Sequence, residues 1–190
     1  MNEEIVKIVT AVALGIGLSA GTGFRVFIPM LVTSLAAKFG IFHPSESFAW
    51  MGSMPAIIVF ASATIVEVAA YYVPFVDNLL DSITTPLSVI AGTLLMTSVL
   101  PIDSNLLKWT TGFIVGGGAA ATIQGGSILA RLTSSKFTIG AGNPVVATGE
   151  NVAALGISTL SLFIPIIVAI LLIGLFVIIF RKLSLWRKKR

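Results

Sequence analysis

Eight acidic residues occur in this chain of 190, and three of them, Glu67, Asp77 and Asp81, fall in the single stretch VEVAAYYVPFVDNLLD, Val66–Asp81. Carboxylates grouped in apolar sequence are candidates to hold a proton or a cation. Burying one in a bilayer costs at least about 2.5–3.5 kcal/mol, so each needs a partner or a task. If the helix continues through Pro74, residues 67, 71, 74, 78 and 81 share one face. Glu67, Tyr71, Asn78 and Asp81 then form a polar lane about 21 Å long, with Asp77 roughly 80° off it. A plainer reading makes VPFVDNLLD a loop and a short interfacial helix. Asp77 is then the N-cap, and Tyr71 and Tyr72 are aromatics of the headgroup belt.

Arg25, in GTGFRVFIP, places a cation just after a glycine-dense stretch. Pairing with Glu67 or Glu150 would neutralise both charges in a low dielectric; the alternative is an arginine snorkelling to the interface. In GAGNPVVATGEN, Asn143 before Pro144 reads as a helix start, and Glu150 lies seven residues along on about the same face. A helix N-terminus at membrane depth favours an anion, whereas Glu150 favours a cation or a proton. Gln124, flanked by glycines, is one more polar group inside an apolar run.

The elements that must position these groups are apolar. The chain is 56% hydrophobic and 11% charged, with a mean hydropathy of +1.02; a soluble domain carries about 25% charge. Apolar segments fall at roughly 5–20, 24–39, 52–73, 84–100, 106–130 and 144–181, against about 20 residues for one crossing. These numbers predict an all-α polytopic helical membrane bundle of about five to seven hydrophobic segments, forming one domain over 1–190. The opening MNEEIVKIV is acidic and is read as a first helix rather than a signal peptide. Gly15, Gly17, Gly21 and Gly23 before Pro29 suggest either a broken or re-entrant helix or a close-packed small-residue interface. Gly149, Gly156 and Pro165 are candidate breaks in the last long run. Gly116–Gly118 and Gly125–Gly126 mark a second glycine-rich segment. At an offset of 100 it matches the first at Gly17, Ala20, Thr22, Ile28, Thr33 and Ser34, a weak internal repeat.

Six of the twelve basic residues lie in the tail RKLSLWRKKR, residues 181–190. Such a cluster is an anchor to anionic headgroups and predicts a cytoplasmic C-terminus in a plasma (inner) membrane. Loops 40–51 and 74–85 lack Lys and Arg and favour the outside. Arg131 and Lys136 favour the inside, which conflicts with the tail unless some segment dips without crossing. Cysteine is absent and His43 is the single histidine, which removes disulfides, thiolate nucleophiles and a His-based metal cluster. No basic face for nucleic acid is available, and no nucleophile elbow or H-E-x-x-H occurs. GIGLSAG has no strand before it, so it is not a dinucleotide fingerprint.

Three stretches together resemble one family of multi-pass prokaryotic membrane proteins, catalogued as domain of unknown function 4126. They are GLSAGTGFRVFIP, the run from Glu67 through Asp81 with the following Pro86 and Gly92, and GNPVVATGEN. The middle motif of that family reads Glu, then Ala-Asp-Lys-Ile-Pro, then Val-Asp, a second Asp and later Arg-Pro. Glu67, Ala70, Pro74, Asp77, Asp81 and Pro86 match it. Tyr71 and Tyr72 stand at the Asp-Lys, Thr85 at the Arg, and Asn151 replaces an acid after Glu150. These departures remove charges. The resemblance covers most of the chain and implies a membrane protein built on these residues, without naming a substrate.

The expected function is a small transporter or channel for an ion or small solute, without a cofactor. Glu67 binds the cation or proton, Asn78 and Asp81 line the approach, and Glu150 with Asn143 completes the site, with Arg25 as counter-charge. The partners expected are the lipid bilayer, the solute and a second copy of the chain. The alternative is a non-transporting scaffold or assembly partner that packs through glycine-rich faces. A lipid-active enzyme with Asp77 and Asp81 as Mg²⁺ or Mn²⁺ ligands is a third reading.

Overall fold

Apolar runs of this length satisfy their backbone away from water by coiling into helices. The computed structural model describes residues 2–73 and 76–188, without the side chains of Asn2, Asp77, Asn78 and 183–188. No strand occurs among the described residues. The helices are α1 (Asn2–Thr22), α2 (Phe27–Lys38), α3 (Met54–Ala70), α4 (Val76–Val99), α5 (Asn105–Thr111), α6 (Gly118–Thr138), α7 (Asn143–Phe163) and α8 (Pro165–Lys188). A 3-10 helix, Glu46–Gly52, precedes α3, and a π-helical turn, Gly112–Gly117, joins α5 to α6. Among the described residues five stretches are long and apolar enough to cross a bilayer: α1, α4, α7, α8 and the run Asn105–Thr138. The 3-10 helix with α3 makes a sixth, bent by 64°. The protein is a multi-pass helical membrane bundle, as its composition requires.

Both readings of the first glycine-rich segment hold, at different residues. α1 runs unbroken through Gly15, Gly17 and Gly21, whose missing side chains admit Met96, Ser161 and Ser158 of neighbouring helices. The break comes after Thr22. A Cβ on Gly23 would stand 2.5 Å from the Ala120 carbonyl oxygen and 2.6 Å from Ile123 Cβ, so α1 can approach α6 this closely only at a glycine. The second segment does not break. It passes through the π-helical turn, where Gly112 and Gly116 press on Thr97 and on Gly92 of α4. Position 23 lies against 120–124 and Gly116 against Ser19, so α1 and α6 run parallel, nearly level at the offset of 100. The two segments share close packing and not the break, since 123–126 are helical.

Two further expectations are corrected. The helix does not continue from Glu67 to Asp81: α3 ends at Ala70 and α4 begins at Val76, so no single lane exists. The amides of Tyr72 and Val73 bond to the carbonyls of Ala69 and Ala70, three residues back. A proline next in sequence disfavours the α conformation at Val73. In the last run, Gly149 and Gly156 lie inside α7 with open space around them, and the break falls only at Ile164–Pro165. Proline supplies no N–H there and starts the next helix. Gly21 lies against Ser158, Gly17 against Ser161 and Val168. α1 therefore runs antiparallel to α7 and on to α8, across that break. On another face of α1, Leu18, Met30, Phe48, Met51, Phe60 and Leu95 tie α1, α2, the 3-10 helix, α3 and α4 together.

Candidate functional site

Breaking a helix inside a bilayer strands backbone donors. After α1 ends at Thr22, the chain restarts as α2 with no side-chain cap of its own. Glu67 supplies the missing acceptors from α3. Its Oε1 accepts from the Val26 amide at 2.8 Å and its Oε2 from the Phe27 amide at 3.0 Å. Pro29, in the same first turn, has no N–H to satisfy. The carboxylate thus caps a remote helix, where the helix dipole also favours negative charge. It is 5% exposed.

Arg25, inside the break, is held by four acceptors. Its Nε donates to Asn151 Oδ1 at 2.6 Å, Nη1 to Glu150 Oε2 at 2.7 Å and to the Phe24 carbonyl at 2.9 Å, and Nη2 to the Ala147 carbonyl at 3.2 Å. Of the two partners open to it, Arg25 takes Glu150 as its ion pair. Glu150 also accepts from Arg131 Nη2 at 2.9 Å, from Arg131 Nε at 3.2 Å and from Ser127. Arg131 Nη1 reaches Asp81 Oδ1 at 2.5 Å. Between the two arginines lies Tyr71. Its ring centre is 3.9 Å from the Arg25 guanidinium carbon and 4.2 Å from that of Arg131, and its hydroxyl donates to Asp81 at 3.1 Å and meets Thr84 at 2.9 Å. An electron-rich ring between two cations favours each of them and keeps like charges apart.

The network forms where the C-terminal ends of α1, α3 and α6 meet the N-terminal ends of α2, α4 and α7. Glu67 lies against the positive end of α2, whose first amides it accepts from, although its own place is in the last turn of α3. Among the described side chains the network holds three carboxylates against two guanidiniums, which leaves one negative charge when all are ionised. At one edge it opens. A cavity of about 400 Å³ between α4 and α6 is lined by Asp81, Ser82, Thr85, Ile128, Leu132 and Ser135. Pro86 inside α4 leaves the Ser82 carbonyl at this edge without its helical donor, and Thr85 donates to the Asp81 carbonyl at 2.5 Å.

Of the residues expected at a site, Arg25, Tyr71, Asp81 and Glu150 join this network directly, and Glu67 adjoins it through the break. Gln124 is linked through Thr84, to which its Nε2 donates at 3.3 Å. Asn143 opens α7, but Gly142 is the cap residue, and the Asn143 side chain bonds to Ser135 at 3.0 and 3.2 Å rather than to the helix start. Asp77 falls in the first turn of α4, not before it. Its side chain and that of Asn78 lie outside the described residues. His43 is exposed in the α2–α3 connection. Among the described residues no three His, Asp or Glu side chains gather as a metal site would require. Arg131 was legible only as a topology marker, although 124, 127 and 131 recur on one helical face. Thr84 and Ser127 carried no signal of their own, and Asn151 entered only as the residue that replaces an acid after Glu150.

No curated protein and no solved structure matches the chain. The model of the family described as Domain of unknown function (DUF4126) matches residues 12–185, which include every described residue of the charge network. That network runs from Arg25 in the α1–α2 break to Asn151 on α7, inside the matched length, and the chain belongs to the DUF4126 family.

Proposed function

We infer that the protein is a small transporter or channel that moves a proton, or a solute coupled to a proton or monovalent cation. The observation that carries this reading is the open edge of the network: Asp81, paired with Arg131, borders a cavity lined by Ser82, Thr85 and Ser135. Intramembrane acids that face a cavity beside broken helices are the usual ingredients of ion pathways. Asp81 is the exchange point. Arg131 is the group that must release it, and Glu67 couples the exchange to the α1–α2 break by holding two backbone amides. The basic tail supports a cytoplasmic C-terminus in a plasma membrane. In proteoliposomes with an internal pH dye, Asp81→Asn abolishes proton flux while circular dichroism shows the helical content retained. Flux unchanged by Asp81→Asn would end the assignment.

A second reading is favoured by one observation. The carboxylate of Glu150 and the guanidinium of Arg25 are bonded many times over within the chain, as in a charge cluster that fixes helix register. A scaffold of this kind shows no flux with or without the substitution, and copurifies with a membrane partner.

A further inference from the structure

α8 is the least enclosed of the five stretches long and apolar enough to cross a bilayer. Only 17% of its apolar window is buried, against 44% for α1. It packs on Ala20 of α1 and Ile123 of α6 through Val168 and Leu172, and two apolar grooves border it, both lined in part by Ile16 and Ile173. One, of about 290 Å³, is lined by Ile8, Val12 and Ile16 of α1 with Ile166, Ile170 and Ile173 of α8. The other, of about 340 Å³, is lined by Val115, Gly118 and Thr122 with Ile173, Phe176 and Phe180. Volumes of this order hold a substantial apolar ligand. Gly118 contributes space, since a Cβ there would meet nothing within 4 Å.

Charge marks the same end of both grooves. The first begins at Ile8, next to Lys7; the second ends at Phe180, next to Arg181 and Lys182. The tail sequence adds Arg187, Lys188, Lys189 and Arg190 beyond, against Glu3 and Glu4 on α1. Apolar grooves that end in a net positive cluster at a helix terminus complement one membrane component, a lipid with a negative headgroup.

We propose that an anionic phospholipid from the bilayer is a bound component of this protein, its acyl chains in the two grooves and its phosphate on Lys7, Arg181 and Lys182. The lipid takes the place of protein contacts that α8 lacks, and so fixes α8 against α1 and α6. This site is separate from the charge network, and it stands whether or not the protein transports.

The full-length protein is reconstituted in nanodiscs of equimolar phosphatidylglycerol and phosphatidylcholine, then taken into mild detergent for native mass spectrometry. Phosphatidylglycerol is expected to remain bound and phosphatidylcholine to be lost. Arg181→Gln and Lys182→Gln each lower retention about five-fold, the worth of one cation near an anionic headgroup. Gly118→Trp fills the second groove and displaces the lipid, whereas Gly126→Trp, also with open space around it, does not. Circular dichroism confirms that each variant folds, and a variant that does not fold is replaced by Gly118→Phe. Equal retention of both lipids, retention unchanged by Gly118→Trp, or a second copy of the chain in place of the lipid overturns the proposal.

Discussion

Arg25 and Glu150, 125 positions apart in the chain, meet at 2.7 Å with both side chains at most 5% exposed. Removing Arg25 leaves Glu150 still paired with Arg131 at 2.9 Å, whereas removing Glu150 leaves Arg25 buried without its ion-pair partner, which is destabilising by about 3–5 kcal/mol. Glu150→Met is therefore expected to lower the unfolding midpoint sharply in detergent, and more than Arg25→Met does. The double variant with Arg25→Met should recover part of that loss, since Arg131 keeps Asp81. Strict additivity of the two losses would show that the pair is not coupled.

Glu67 has a different task, and a pair of substitutions separates it from a general need for charge. Glu67→Ala leaves the amides of Val26 and Phe27 without acceptors, at about 1–3 kcal/mol for each. Glu67→Gln keeps one acceptor oxygen and is expected to be the milder change. Hydrogen exchange at those two amides reports it directly: protected in the wild type, half-protected in the Gln variant and fast in the Ala variant. Equal exchange in all three would show that the amides are satisfied elsewhere.

Tyr71 joins the arginines by its ring and Asp81 by its hydroxyl. Tyr71→Phe loses only the hydroxyl bonds, about 1–3 kcal/mol where Asp81 and Thr84 stay buried. Tyr71→Leu also loses both ring–cation contacts, at about 2 kcal/mol each when desolvated. Phe should therefore rank clearly above Leu in thermal stability. A reversed order would mean that the ring contributes nothing.

Glycines of the same appearance in the sequence should respond in opposite ways. Gly23→Ala forces a Cβ against the Ala120 carbonyl and should destabilise by about 1–3 kcal/mol. Gly126→Ala, in an open helical position, should stabilise by about 0.5–1 kcal/mol. Midpoints of thermal unfolding for the two variants decide it.

That contrast also shows what could be read from residues alone. Helical class and span number follow from hydropathy, and buried carboxylates announce themselves because a bilayer makes them expensive. Glu67, Asp81, Glu150 and Arg25 were visible for this reason. Which glycines break a helix and which merely admit a neighbour depends on the packed partner, so Gly15 and Gly23 look alike until Met96 and Ala120 are in place. Arg131 looked like a loop charge because its justification, Asp81 and Glu150, lies on two other helices. The lane from Glu67 to Asp81 failed for a local reason. Its periodicity assumed a helix across a proline, but α3 ends at Ala70 and α4 begins at Val76, so Tyr71 and Asp81 meet by a fold rather than by a spacing.

The order of synthesis gives the break at Gly23–Val26 a consequence for biogenesis. Arg25 is made first, Glu67 and Asp81 follow, then Arg131, and the acid that pairs with both arginines arrives last, on α7. Until α7 enters, Arg25 has none of its bonds to Glu150, Asn151 and the Ala147 carbonyl, so the buried network closes only with the helix made after all its other members.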